Sequence, residues 1–328
     1  MAGPNFRSNS IVNFKIFELL IISFLWEQVD SLRCSVAVFE INSGDFKAKI
    51  NSYGASLIYL SKNGFDLIEP DTKPNLYAGS VLAPWPNRIK DGRYKFKNKI
   101  FELPINEVAK NNALHGLVAN SDWQEISKTQ TSVELEYILD SPEIYPGKLK
   151  LTTSYKFIED YLEVSINALN IGNEMSPYGV SIHTYFVAGE KVKNDQLFLQ
   201  IPSSEFMQVD LERLLPIGLK RVDKTNFDFR VLKQISNLFI DHAFKVDPAL
   251  PKQIQLLNPS NLGINLEFDG STKWIQIHTA DRQGGDDSRM AVAIEPMSCP
   301  PDAFNSGLDL LTLAPAQSYT YTLKIRKA

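Results

Sequence analysis

The sequence predicts an all-β protein, a large antiparallel β-sandwich with a few short helices, and three observations carry that prediction. From Ser35 onward apolar residues recur mostly at a period of two, the spacing at which alternate side chains share one face of a pleated strand. The apolar runs are separated by turn-forming stretches such as Asn63-Gly64, Asp91-Gly92 and Tyr145-Pro146-Gly147. No amphipathic helix of comparable length accompanies them. Sheets joined by hairpins and loops, each with an apolar face to bury, stack into a sandwich.

In chain order, the first segment to explain is Leu19–Trp26, LLIISFLW, with Arg7 and Lys15 before it. It has parts of a secretory signal, but Glu18 interrupts the apolar region, and Val29-Asp30-Ser31-Leu32-Arg33 offers no small-residue cleavage site. The run is also too short to span a bilayer. The other reading is an amphipathic extension through Phe14, Phe17, Ile21 and Phe24. Residues 1–34 are therefore set apart as an N-terminal extension, and 35–328 are expected to form a single domain because no low-complexity linker interrupts them.

Within that domain the strands follow from alternation. Ser132–Leu139 places Val133, Leu135 and Tyr137 inward, and Leu149–Phe157 does the same with Leu149, Leu151, Tyr155 and Phe157. Tyr161–Asn170 shows the pattern best, with Leu162, Val164, Ile166 and Ala168 on one face and Glu163, Ser165 and Asn167 on the other. Pro177–Phe186 puts Ser181, His183 and Tyr185 together, a polar and aromatic face suited to binding rather than to a core. Asp228–Asn237, where Phe229, Leu232 and Ile235 space helically, is expected to hold short helical turns. Met290–Ile294 reads as a strand that ends on Glu295, at a rim where Pro296 leads the chain away. Ser318–Arg326 closes the series with Tyr319, Tyr321, Leu323 and Ile325 inward.

Composition narrows the function classes. Hydrophobic residues make up 44% and charged residues 22%, which excludes disordered, collagen-like and coiled-coil chains. Lys and Arg number 34 against 38 Asp and Glu, a net charge of −4, and no basic run is dense enough to follow a phosphate backbone. Neither nucleic acid nor a membrane is expected as a partner. The two cysteines, Cys34 and Cys299, form neither a disulfide framework nor a metal-ligand spacing. The cytoplasm is the expected compartment, with secretion through the apolar N-terminus as the alternative, and the protein is expected as a monomer or homodimer.

Four histidines can be weighed one by one. His115 lies in NNALHGLV, where Gly116 permits a tight turn; His183 lies on the polar face of Pro177–Phe186; His242 comes after Asp241 in FIDHAF. For His242 a turn with an Asx-type bond and a functional role stand level. His278, in WIQIHTA with Trp274 and Gln276 on its face, is assigned mainly to structure. Glu295 is raised above an ordinary surface acid by its C-terminal neighbours, PMSCPPDAFNSG, a turn-dense loop of the kind on which sites are built.

Together these segments resemble the aldose 1-epimerase (galactose mutarotase) family of the bacterial type. The matching stretches are APWPNRIKDGRY with Asn87-Arg88-Ile89, NALHG with Trp123 downstream, PYGVSIHTYF, DHAF, and EPMSCPPDAFNSG with LAPAQSYTY after it. Each is weak alone; five in order, spread over residues 36 to 328, are specific. The resemblance implies a galactose-mutarotase-like sandwich whose concave face holds the sugar, with no cofactor and no metal. It implies Glu295 as general base, His183 as general acid, and Arg88, His115 and Asp241 as groups that bind and orient the pyranose, with Asn87 beside them. The implied partner is a small aldohexose such as glucose or galactose. Two departures stand out: His278 where many relatives carry an aromatic, and Ala83-Pro84-Trp85-Pro86 ahead of Arg88, where others have a glycine-rich approach.

The chemistry asks for such groups. Interconverting anomers means removing the proton from O1 and protonating ring oxygen O5, so one base and one acid suffice. Trp85, Tyr178 and Tyr185 are candidates to stack on the apolar face of the ring. A rival on the same fold, a hexose-6-phosphate 1-epimerase, needs a cationic cluster, for which Arg213, Lys220 and Arg221 are available. A non-catalytic carbohydrate-binding module would not need both Glu295 and His183. A metal enzyme using His115, His183, His242 and Glu295 lacks HxH or HExxH spacing.

Overall fold

A computed structural model describes residues 36–68, 77–189, 192–281 and 288–328. The apolar run Leu19–Trp26 and the suggested amphipathic extension lie outside the described residues. Val38–Ala328 belong to one compact unit.

Alternation in the sequence becomes alternation in burial. Along Tyr161–Asn170 every second residue is buried, and Leu162, Val164, Ile166 and Ala168 are at 0% exposure. This strand is central in a nine-stranded antiparallel sheet. Its neighbours are Lys148–Ile158, beyond which lie Ser132–Asp140 and Gln124–Lys128, and Ser318–Lys327 on the other side. Gly263–Phe268, Gln253–Leu257, Phe198–Gln200 and Lys233–Gln234 complete the order. A four-stranded sheet, Val38–Ser43, Phe46–Asn51, Ser56–Lys62 and Phe65–Asp66, joins the same core through Ile41, Ile50 and Leu57.

The sheet that positions the site has six strands, in the order Tyr185–Phe186, Val292–Met297, Trp274–His278, Asp241–Val246, Ser203–Val209, Pro216–Arg221. Its back face supplies Ile275, Ile277, Ile294 and Phe244 to the main core, the same cluster that holds Leu162 and Ile166 of the nine-stranded sheet. The Tyr321 hydroxyl fastens the two layers, donating to the Pro296 carbonyl at 3.0 Å. Its front face carries two small apolar clusters, Met207, Ala243, Trp274 and Met297 in one and Tyr185, Ala280, Ala291 and Ala293 in the other. Polar residues occupy the space between.

Two expectations are corrected. Asp228–Asn237 forms no helix; it is turns and the two-residue strand Lys233–Gln234, with Phe229 and Ile235 fully buried as anchors. Here helical spacing marks two core contacts of an irregular segment. Among the described residues helix is confined to Ala303–Ser306 and the 3-10 turns Val108–Lys110 and Asn194–Gln196. Glu295, read as the end of a strand at a rim, lies inside Val292–Met297 and is 1% exposed. Pro296 is tolerated there because of the direction its missing N–H would take. Amides 294 and 298 donate to Thr184 and Val180 on one side, so residue 296 forfeits a bond only on that side and leaves the pairing with Trp274–His278 intact.

Candidate active site

Register on the six-stranded sheet builds the floor. Tyr185 lies opposite Ala293, Ala293 opposite His278, and His278 opposite Asp241, so these four form one transverse row. In the next row Glu295 lies opposite Gln276 and Gln276 opposite Ala243. His183, two residues before Tyr185, is fixed by its own backbone: its N–H donates to Ser80 at 2.9 Å, and its carbonyl accepts from Gly79 at 2.7 Å.

A two-stranded ribbon, Arg88–Lys90 against Asn112–Leu114, forms the wall. Asn87 and His115 flank it, joined by a 2.9 Å bond from the His115 N–H to the Asn87 carbonyl. Both have left-handed backbones, φ 58° and 64°, a conformation the two residue types adopt more readily than most. Gly116 is next at φ 78°, and a Cβ there would lie 2.1 Å from the Ala83 carbonyl oxygen. Only glycine lets the two segments approach so closely.

All six residues expected at the site, Asn87, Arg88, His115, His183, Asp241 and Glu295, line one cavity of about 500 Å³. At its centre His183 Nε2 stands 3.4 Å from Glu295 Oε1. The His115 and His183 rings meet edge to face at 4.9 Å, and Tyr185 lies 5.0 Å from His183 on the other side. Arg88 Nη2 reaches Asp241 Oδ2 at 3.6 Å. Gln276 Nε2 donates to the other oxygen of Asp241.

Burial dominates the electrostatics. It pushes the Glu295 carboxyl well above its usual range, with Asp241 adding to the shift and Arg88 opposing it. It also depresses His183 to about 3, with His278 and Arg88 acting the same way and Asp241 against. His115 falls well below its ordinary value for the same reason, reinforced by His183 and Arg88. Arg88 keeps its charge: burial works against it, but Asp241 and Glu107 more than compensate. Burial thus favours the neutral form of each member of the His183–Glu295 pair.

Several residues were missed or misplaced from sequence. Glu107 grips Arg88 through two bonds, to Nε at 2.8 Å and Nη2 at 3.0 Å, and is itself held by Asn112 and Lys110. Nothing in the chain order signals this. Gln276 was visible by alternation with His278. His278, assigned to structure, lines the cavity. Tyr77 lines it too, against His115. Of the proposed stacking aromatics only Tyr185 is present: Tyr178 is fully buried, and Trp85 is buried against Phe304. His242 faces the opposite side of its strand, between Phe206 and Phe227, with Nδ1 accepting from the Asp241 N–H, so it joins no site with His115 and His183. Arg213 is spent on Asp91 and on the carbonyls of Lys110 and Asn111. Lys220 and Arg221 sit on the exposed strand Pro216–Arg221. None of the three lines the cavity.

The aldose 1-epimerase family matches residues 37–326. This chain belongs to that family. It is 36% identical over 290 residues to YihR of Escherichia coli K12, an uncharacterized protein, covering 87% of this chain and 92% of that one. The aldose 1-epimerase of the same organism is 30% identical over 186 residues, about half of each chain: 51% of this one and 52% of the enzyme. A crystal structure of a GalM/aldose epimerase homologue from C. elegans superposes with a TM-score of 0.79 at 20% identity, covering 90% of this chain and 99% of that one, which shows the shared fold. The galactose-mutarotase-like architecture expected from the motifs is thus present, and family membership brings a sugar as the substrate class.

Proposed function

We propose that this aldose 1-epimerase family member interconverts the α and β anomers of free aldohexoses by acid–base ring opening, with Glu295 as general base and His183 as general acid. The observation that carries the reading is the 3.4 Å contact between His183 and Glu295, two buried side chains that line the same cavity. O1 and O5 are bonded to the same carbon, so the two groups need to reach neighbouring atoms, and a contact pair suits that better than groups set a whole ring apart.

The cavity, about 500 Å³, lies within the roughly 300–1,000 Å³ typical of small-molecule sites. When a sugar enters, its hydroxyls and the Arg88 guanidinium solvate the Glu295 carboxylate while Asp241 favours protonated His183, so the one proton the pair shares passes from the carboxyl to the imidazole. Glu295 then takes the O1 proton while His183 donates to O5. The C1–O5 bond breaks and the C1–O1 bond becomes a carbonyl. Rotation about C1–C2 presents the other carbonyl face to the O5 hydroxyl, and each group performs the reverse transfer as the ring closes. Arg88 and His115 steady the charge that develops on oxygen. Asp241 and Asn87 orient the ring hydroxyls. The commitment of Arg213 elsewhere favours free over phosphorylated sugars. We place the reaction in the cytoplasm, as cysteine usage suggests.

Polarimetry on freshly dissolved α-D-glucose, α-D-galactose and glucose 6-phosphate tests this reading. Glu295→Gln and His183→Asn should each lose about 10²- to 10⁴-fold in kcat while remaining folded. Near wild-type rates in either variant would refute the assignment.

A further inference from the structure

We infer that His278 is the specificity-determining residue of the cavity, recognising a ring oxygen substituent away from C1. The inference rests on the proposed anomerase activity and deepens it.

Position is the first argument. His278 shares its transverse row with Tyr185, Ala293 and Asp241, and the row beside it carries Glu295 and Gln276. Residues two apart on a strand are separated by about 6.5 Å, close to the span of a pyranose with its substituents. A sugar whose C1 lies over the His183–Glu295 contact and whose ring runs toward the polar row rather than the apolar Trp274–Met297 row extends one row along the floor, onto His278. Space is the second argument. Ala293, between Tyr185 and His278, has no side chain beyond its methyl group, so the row is open at its centre and walled by an aromatic ring and an imidazole.

The third argument is hydrogen bonding. The charged groups around His278 are held by protein partners: Asp241 by Gln276 and Arg88, and Arg88 by Glu107. The His278 imidazole lines the cavity, and its buried Nδ1 has no hydrogen-bond partner among the described residues. Leaving a buried polar atom unpaired is costly, which is why such atoms concentrate at functional sites. An imidazole nitrogen can donate or accept a hydrogen bond, and a hydroxyl can answer either. The proton transfers of ring opening and closure use neither nitrogen of His278.

The test compares wild type, His278→Ala and His278→Gln by polarimetry on D-glucose and its 2-, 3-, 4- and 6-deoxy analogues. His278→Ala should lose about 10- to 100-fold in kcat/KM, mostly through KM, on sugars that carry the recognised hydroxyl. On the one analogue lacking it, the gap between wild type and variant should close to within about threefold, and His278→Gln should recover part of the selectivity. An equal fractional loss on every sugar, or no loss on any, overturns the inference. Calorimetry with 1,5-anhydro-D-glucitol, which has no O1 and cannot react, separates the two claims. Weaker binding to His278→Ala than to wild type supports the inference even if turnover is absent. Equal binding to both refutes it, and turnover by wild type in that case leaves the anomerase reading standing.

Discussion

Glu295 at 1% exposure and His183 at 6% are the side chains to which we assign the proton transfers, and their surroundings favour the neutral form of each. Two interacting groups lose and gain protons as a unit. The pair takes up a second proton only as pH falls toward about 3, where His183 titrates, and gives up its single proton only as pH rises through the elevated range of Glu295. A pH profile of kcat/KM should accordingly show an acid limb toward about pH 3 and an alkaline limb above the ordinary carboxylate range; a limb near pH 4.5 would contradict this. Arg88 lowers both groups. Arg88→Met should therefore move both limbs to higher pH while raising KM. Behind Arg88, the Glu107 carboxylate is 12% exposed and holds the guanidinium at two points. Breaking such a buried pair costs roughly 3–5 kcal/mol. Glu107→Ala should lower stability by about that amount in urea denaturation and raise KM at the same time; stability close to wild type would show that the pair carries little.

Strands were legible in the sequence where one face meets the core and the other meets water. Tyr161–Asn170 and Lys148–Ile158 alternate in burial residue by residue, and their sequences alternate too. Val292–Met297 is buried at every position and Trp274–His278 at all but the last, so solvent imposes no period on them. That is why Glu295 read as a strand end and His278 as structural. The six residues expected at the site were recognisable through motifs, whereas Glu107 and the Tyr185–Ala293–His278–Asp241 row depend on pairings between distant strands. The element carrying His115 is equally constrained. Gly116→Ala adds a methyl group 2.1 Å from the Ala83 carbonyl at a positive φ and should destabilise by about 1–3 kcal/mol. It should also slow turnover by displacing His115; an unaltered denaturation midpoint would show that the backbone can yield there.

At the scale of the whole molecule, one sheet serves two purposes. Its back face closes the hydrophobic core with Ile275, Ile277 and Ile294, and its front face holds the polar floor between two small apolar clusters. The packed core supports the floor from behind, and the ribbon carrying Arg88 is held along its length, by the Asp302 N–H donating to the Arg88 carbonyl and the Lys90 N–H donating to Asp302 Oδ1. Val38–Ala328 form a compact unit and the family match begins at residue 37. A chain beginning at Ser35 should keep wild-type turnover; its inactivation would assign the N-terminal extension a part in the site.

In the proposed reaction one buried proton pair opens and recloses the ring. Exchange NMR on equilibrium mixtures of aldose anomers measures this directly, since enzyme-dependent cross-peaks between the α and β anomeric protons report each conversion. Cross-peaks for free aldoses that disappear in Glu295→Gln and never arise for methyl glycosides, which lack the O1 proton, are the predicted result. Exchange that persists in Glu295→Gln, or that extends to methyl glycosides, would contradict it.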